Sequence, residues 1–325
     1  MDYVNFGHSG VKVSQLALGL GFRGQPDEKT IQRVIERAID LGINLLDCAN
    51  VYGPMDDRKY AGHSEVVLGR AIKSRRDDVV ITSKVTSPVG KGPNDHGSSR
   101  FHIMREVERS LKRIGTDHLD VYLLHRYDPD TPLEETLRAL EDLVRSGKTR
   151  YVGCCNFQAW EVVKALDLQR TINASQFICV QNPYSLVDRR LETEMFPMVA
   201  DYGLGIMAYS PLGVGLLSGA YRAGKAPPKS TLWGRRPKYR FDSIMSAGGA
   251  TVLETLKQIA GEYGKSMAQI GLAWVLSHPE ISVAITGGDT VEHLEDNAGA
   301  LSFKLDPEAR RRLDEVSNGM LSFVS

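Results

Sequence analysis

Three short apolar runs of the chain each lead to a polar side chain that can move a proton. Leu45-Leu46-Asp47-Cys48-Ala49-Asn50-Val51-Tyr52-Gly53 delivers an Asp and, five residues later, a Tyr. Val79-Val80-Ile81-Thr82-Ser83-Lys84 ends in a Lys, and Leu119-Asp120-Val121-Tyr122-Leu123-Leu124-His125 ends in a His. Each run is brief, rich in β-branched residues and almost continuously apolar, the pattern of a buried strand. On that reading Asp47, Tyr52, Lys84 and His125 meet at one rim. A phenol has an unperturbed pKa of about 10, so a Tyr that is to protonate a carbonyl oxygen near neutral pH needs help. A neighbouring Lys ammonium favours the tyrosinate, an Asp keeps that Lys protonated and in place, and a His can hydrogen-bond the same oxygen or relay its proton. Singly, a strand-end Asp can equally be a cap or half of an ion pair. Four such residues at successive strand ends point to catalysis.

A scaffold able to bring them together is written along the chain as strands alternating with amphipathic helices, which predicts a parallel sheet. Residues 3–6 and 11–14 read as a hairpin closing a barrel floor, followed by a strand at 16–20 and a helix at 27–41. The strand ending at Asp47, a helix at 64–73, the strand ending at Lys84, a helix at 100–114 and the strand ending at His125 come next. Helix 133–146 stops at Gly147, and strand 151–154, helix 160–168, strand 175–181, helix 189–201 and strand 205–209 follow. Helices 250–263 and 267–277, strand 283–286, a helix from 289 and a tail helix at 307–316 complete the chain. Eight strands with intervening helices make an α/β fold of the (β/α)8 TIM-barrel type, with an N-terminal β-hairpin and a long loop after strand 7. Although a chain of 325 residues exceeds the usual size of one domain, barrels reach this length, and residues 1–325 are expected to form a single domain. Loops 55–62, 87–99 and 218–248 would project from the C-terminal face, where barrel enzymes build their sites. The last of these carries Trp233, Arg235, Arg236, Tyr239, Arg240 and Phe241, a mix suited to closing over a ligand or, alternatively, to a solvated excursion.

The residues around these strand ends resemble the aldo-keto reductase superfamily over nearly the whole chain. The match rests on Asp47, Tyr52-Gly53, Lys84, Leu123-Leu124-His125, Gly153-Cys154-Cys155-Asn156-Phe157, Gln181-Asn182-Pro183-Tyr184 and Ala208-Tyr209-Ser210-Pro211-Leu212-Gly213. The resemblance implies reversible hydride transfer between NAD(H) or NADP(H) and a carbonyl, with Tyr52 as acid/base among Asp47, Lys84 and His125. It implies that Tyr209 stacks on the nicotinamide, that Asn156 and Gln181 bond its carboxamide, and that Ser210, Leu212, Gly213 and Gly215 pass the pyrophosphate. Gly287, Asp289, His293, Asp296 and Asn297 resemble the adenosine-binding turn and helix start. No Gly-x-Gly-x-x-Gly opens a helix after the first strand, since Gly19-Leu20-Gly21 lacks the third glycine, so a Rossmann site is not expected.

One departure bears on the cofactor. Many members of the superfamily carry a cation at the positions of Asp289, Ala220 and Thr231, where it would meet the phosphate that distinguishes NADP(H). A phosphate monoester is normally met by Arg or Lys, and an acidic residue beside the ribose is how other dinucleotide sites prefer free hydroxyls. The chain is therefore expected to favour NAD(H), unless Asp289 is only a helix N-cap and the phosphate is met by Lys225, Arg235 or Arg240. Phe22, Arg23, Arg126, Tyr127, Trp233 and Tyr239 are the expected substrate-pocket residues beside Tyr52, and their polarity suits sugars or sugar-like ketones better than steroids. NAD use would favour oxidation of a hydroxyl or lactol.

A different class of function on the same barrel is a cofactor-sensing regulatory or binding protein, like the potassium-channel β subunits of that superfamily. The filled tetrad and the expected lack of an extra N-terminal segment weigh against it. Lys plus Arg and Asp plus Glu balance at 40 each, which gives no electrostatic footprint for nucleic acid or an anionic membrane. No basic, apolar leader and no run of eighteen apolar residues is present, so the expected location is cytoplasmic, the expected partner a small carbonyl or alcohol, and monomer or homo-oligomer is left open. Cys48, Cys154, Cys155 and Cys179 lie in apolar strand-like surroundings without Cys-x-x-Cys spacing and are expected to be free structural thiols, with no bound metal.

Overall fold

The computed structural model describes residues 1–222, 224–229 and 231–320. Two short strands, β1 (Tyr3–Asn5) and β2 (Lys12–Ser14), form an antiparallel hairpin. The eight that follow are β3 (Leu16–Gly19), β4 (Leu45–Asp47), β5 (Val80–Val85), β6 (Leu119–Leu124), β7 (Thr149–Cys155), β8 (Phe177–Pro183), β9 (Gly205–Tyr209) and β10 (Ile281–Thr286). They are parallel and close into a barrel in sequence order, β10 pairing with β3. Around them run α1 (Glu28–Asp40), α2 (His63–Ala71), α3 (Arg100–Ile114), α4 (Leu133–Arg145), α5 (Ala159–Thr171) and α6 (Met195–Tyr202). The second half adds α7 (Leu232–Arg235), α8 (Lys238–Ile244), α9 (Ala250–Tyr263), α10 (Met267–Leu276), α11 (Val291–Ala298) and α12 (Pro307–Ser317). This is the (β/α)8 barrel with a hairpin that the alternating pattern predicts.

Because side chains alternate across a strand, each strand feeds two cores. Ala17, Leu45, Val80, Val121, Leu123, Cys155, Cys179, Met207, Val283 and Ile285 fill the barrel interior, while their neighbours Leu18, Leu46, Ile81, Tyr122, Leu124, Cys154 and Ala208 pack outward against the helices. The same alternation turns Asp47, Thr82, Lys84, Gln181 and Tyr209 inward. The hairpin seals the floor: Phe6 is fully buried in the interior core. Gly7, at φ +58°, passes so near the backbone of β8 and β9 that a Cβ would lie 2.2 Å from Ile178 O and 2.8 Å from Gly205 N. With the bottom closed, the inward polar residues can be approached only from the opposite end.

The segment 218–248 departs from the loop expected of it. It contains α7 and α8, and Trp233, Phe241 and Tyr221 join the outer hydrophobic core, with ring centroids 6.3 Å (Trp233–Phe241) and 5.9 Å (Tyr221–Phe241) apart. Thr231 caps α7 through its hydroxyl, and the Trp233 indole N–H donates to Gly213 O at 3.1 Å. No helix among the described residues is long and apolar enough to cross a membrane.

Candidate active site

Lys84 is reached by the register of three neighbouring strands. Asp47 on β4 pairs with Thr82 on β5, and Lys84 stands one inward position further along, opposite Leu123 of β6. Its ammonium is fully buried. It donates to Asp47 Oδ2 at 2.8 Å, to Cys48 O at 2.7 Å and to the Tyr52 hydroxyl oxygen at 3.3 Å. The three donors of an ammonium thus have three acceptors. Burial works against the charged ammonium, yet the Asp47 carboxylate outweighs it and holds the Lys84 pKa above its usual value. Asp47 is fixed in turn by Thr82 Oγ1 at 2.6 Å and Gln181 Nε2 at 2.8 Å, both donating to Oδ1.

Tyr52 arrives from the loop after β4, which folds back on itself: the N–H groups of Gly62 and Ser64 donate to Tyr52 O, and a Cβ on Gly53 would meet Tyr60 O at 2.3 Å. The phenol ring is half-buried. Burial raises its pKa; Lys84 pulls in the opposite direction without cancelling that rise. The expectation that Lys84 yields a lowered phenol is therefore corrected, because the site is drier than a strand-end motif reveals. His125 lies edge-on to Tyr52, centroids 5.8 Å apart, and its Nδ1 faces Ser87 Oγ at 3.1 Å. Burial, reinforced by Lys84, Arg126, Arg58 and Arg23, pushes its pKa well below the usual imidazole value, so the ring is neutral at pH 7. Thr82, Ser87 and the Cys48 carbonyl were not among the sequence candidates; the inward alternation of β5 could have pointed to Thr82.

The residues matched to nicotinamide binding line the same rim. The Tyr209 hydroxyl donates to Asn156 Oδ1 at 2.8 Å, and Asn156 Nδ2 donates to His125 O at 2.8 Å. Asn156 (φ +58°) and Ser210 (φ +52°) adopt left-handed backbone just past β7 and β9. This bends the two strand ends, and Asn156 stays exposed. Asn156 and the half-buried Tyr209 ring stand at this edge, while Gln181 is buried below them with its Nε2 given to Asp47. A carboxamide on a flat heterocycle would be met by the amide types present, which carry both donors and acceptors. Leu212, Gly213 and Gly215 continue the turn, Gly215 at φ +84° with no atom near its absent Cβ.

At the far side lie the residues matched to the adenosine end of the cofactor. The N-cap of α11 is Thr290, whose hydroxyl accepts from His293 N, so the alternative in which Asp289 is the N-cap is corrected. Asp289 instead accepts the Gly24 N–H at 3.3 Å, and its carbonyl accepts from Gln25 Nε2 at 2.8 Å, tying the loop after β3 to the loop after β10. Asp296 receives Ser266 Oγ and Gln269 Nε2, and the Asn297 amide donates to Thr286 Oγ1 and Gly287 O. These bonds anchor α11. Gly287 and His293 are exposed.

The substrate-pocket expectations divide. Arg126 is exposed beside His125 and donates to Ser87 Oγ at 3.3 Å. Phe22 and Trp233 are buried, and Trp233 packs in the outer core beside Phe241 with its indole N–H given to Gly213 O, which corrects its assignment to the pocket lining. Tyr127 is turned toward α5: it packs edge-on against Phe157 at 5.4 Å and beside Trp160 at 6.0 Å, with Lys164 Nζ donating to its hydroxyl. Tyr239 is 65 % exposed on α8. A short run of sequence does not reveal which way a loop aromatic turns.

The family model described as "Aldo/keto reductase family" matches residues 15–318. The chain belongs to the aldo/keto reductase family. It is an oxidoreductase of a fold family that uses NAD(P)H. The chain is 38 % identical over 327 residues to an "Uncharacterized oxidoreductase YrpG" of Bacillus subtilis, covering 98 % of this chain and 97 % of that one. It is 34 % identical to a "Probable voltage-gated potassium channel subunit beta" of Oryza sativa subsp. japonica (97 % and 96 % covered). It is 32 % identical to the versiconal hemiacetal acetate reductase of Aspergillus parasiticus (97 % and 96 %). Among the described residues of this aldo/keto reductase, no group of three or more His, Cys, Asp or Glu is placed to hold a metal ion.

Proposed function

We propose that this aldo/keto reductase, acting as one barrel domain over residues 1–325, interconverts a polar aldehyde or ketone and its alcohol with Tyr52 as the general acid/base. The observation that carries the reading is the bond from the buried Lys84 ammonium into the Tyr52 hydroxyl oxygen. With that oxygen accepting, the phenol hydrogen is directed away from Lys84 and toward the open rim. In reduction Tyr52 gives this proton to the carbonyl oxygen, and the ammonium stabilises the phenolate left behind; in oxidation Tyr52 takes the proton back. Neutral His125, oriented through Nδ1 by Ser87, offers its other ring nitrogen to the same oxygen. When bound, a nicotinamide cofactor held by Asn156, Gln181 and Tyr209 supplies the hydride for reduction or accepts it in oxidation. The Asp289 carboxylate at the loop after β10, together with Ala220 and Thr231 where many relatives carry cations, supports NAD(H) over NADP(H).

Tyr52→Phe and the parent protein, each titrated with NADH and NADPH by quenching of intrinsic fluorescence and assayed for aldehyde reduction, test this reading. The substitution is expected to lower turnover by at least about a hundredfold with cofactor affinity nearly intact, and NADH is expected to bind more tightly. A variant that keeps most of its activity would overturn the role of Tyr52, and tighter NADPH binding would overturn the role of Asp289. The potassium-channel β subunit named among the relatives motivates a second reading, a cofactor-sensing regulatory protein. Slow turnover together with a retained, slowly exchanging cofactor would favour it.

A further inference from the structure

Several arginines on the helical ring of this protein are matched with carboxylates: Arg37 with Glu295, Arg70 with Glu28, Arg75 with Asp40 and Arg138 with Glu134. Two arginines at the mouth are not. Arg58 lies in the loop that carries Tyr52, and among the described residues its side chain makes no hydrogen bond or ion pair. Arg126 follows His125 directly, and among the described residues its only hydrogen bond goes to the Ser87 hydroxyl, the group that also faces His125 Nδ1. Two carboxylates near them in sequence are engaged elsewhere. Asp57 is paired with Lys59 at 3.0 Å. Asp128 accepts from Ser98 N and Thr131 Oγ1. Both cations nonetheless bear on the reaction centre: Arg126 and Arg58 act electrostatically on His125. Cations left without carboxylates around a cleft raise the local concentration of anions and hold them by charge-assisted hydrogen bonds.

We propose that the substrate of this enzyme carries, beside its carbonyl, an anionic group, a carboxylate or a phosphate ester, that Arg126 and Arg58 bind. The proposal rests on the reductase reading and narrows its substrate class. Arg126 shares Ser87 with His125, so the residue that holds the anion and the residue that faces the carbonyl oxygen are oriented by one hydroxyl. A planar guanidinium grips a carboxylate or phosphate through two parallel N–H donors, which fixes where the rest of the substrate lies.

Matched aldehydes test it: succinic semialdehyde against butanal for the carboxylate, and glyceraldehyde 3-phosphate against glyceraldehyde for the phosphate, each with NADH and with NADPH. A kcat/KM ratio of anionic to neutral partner above about tenfold in at least one pair, falling with added salt, is expected, and the pair that shows it identifies the anion. The ratio should fall toward one in Arg126→Met and in Arg58→Met, and persist in Arg150→Met, which changes an exposed arginine on β7. Ratios near one in both pairs, with the neutral aldehydes turned over, would overturn the proposal and leave the reductase reading standing. A high ratio untouched by either mouth substitution, or substitutions that weaken cofactor binding in place of the ratio, would overturn the assignment to these arginines. If the parent protein reduces none of the four aldehydes with either cofactor, the reductase reading fails and the proposal fails with it.

Discussion

Two buried ion pairs are attached to adjacent residues of β5, one on each face of the barrel wall, and they are buried in opposite senses. Inside, the cation is the dry partner: Lys84 is wholly enclosed and its ammonium meets Asp47, a backbone carbonyl and the Tyr52 hydroxyl. Outside, the anions are dry. Glu65 on α2 is wholly enclosed and accepts from Ser83 Oγ at 2.6 Å and from Arg113 Nε at 2.5 Å, while the Arg113 side chain stays about a quarter exposed. Glu106 on α3 repeats the arrangement, taking Arg109 at 2.7 Å and the Asn50 amide at 3.2 Å. The outer arginines keep part of their hydration; Arg113 joins α3 to Glu65 of α2, and the Ser83 hydroxyl ties Glu65 to the sheet. The inner lysine has lost its hydration, so the charge it carries is felt by the phenol it faces. Burial of a pair alone therefore does not mark an active site. A buried cation that donates to a hydroxyl at an open rim does.

Lys84→Met should break the inner cluster most severely. Turnover is expected to fall by about 100- to 10,000-fold, and the melting temperature to drop, since an unpaired buried Asp47 costs about 3–5 kcal/mol. Steady-state kinetics and thermal unfolding measure both losses, and a variant that kept its turnover would remove the distinction between the clusters. Glu65→Gln is the counterpart. Arg113 can turn to water and Ser83 retains an acceptor, so stability should fall by about 1–3 kcal/mol with turnover changed only a few-fold. A loss of turnover as deep as that of Lys84→Met would show that the outer cluster is part of the chemistry.

Acidification gives the smallest effect. His125 beside the inner cluster and His102 beside the outer one both have pKa values lowered, chiefly by burial. Unfolded histidines take up protons near pH 6.5, so below that pH the unfolded state binds more protons than the folded one and stability falls as pH falls. The contribution is fully present above about pH 6.5 and is lost progressively as pH falls below it toward the lowered folded-state values. Calorimetric melting temperatures at pH 7.5 and 5.5 should differ accordingly, with the difference reduced in His102→Gln and in His125→Gln. An undiminished difference in both variants would mean that neither histidine carries it.

Elements whose own periodicity specifies them were legible in the sequence. Helix 100–114, strand 205–209 and helix 250–263 were expected at those bounds and are found there, because each has a continuous apolar stripe and a clean stop such as Gly115 or Gly264. The convergence of Asp47, Tyr52, Lys84 and His125 was legible for the same reason, since strand ends of a parallel barrel share one face. What could not be read depends on contacts between distant segments. Trp233 was expected at a ligand, but its partners are Gly213, in a turn, and Phe241, on the short helix α8 inside a stretch expected to be a loop. Tyr127 was expected at the mouth and is drawn to Phe157 and Trp160. Gln181 was matched to a carboxamide, and its bond to Asp47, from a residue 134 positions away, is visible only once the barrel has closed.

The four cysteines are distributed over the two cores in pairs. Cys155 and Cys179 lie inside the barrel, and Cys48 and Cys154 between the sheet and its helices. All four are free and fully buried, with burial raising each thiol pKa. An alkylating reagent meets almost no thiolate in the native state, so labelling proceeds only as fast as the structure opens. Lifting the helices uncovers one pair, and parting the strands uncovers the other. The molecule thus carries its own stopwatch for unfolding, with one hand on each layer, and the order in which the pairs are labelled reads out which layer gives way first.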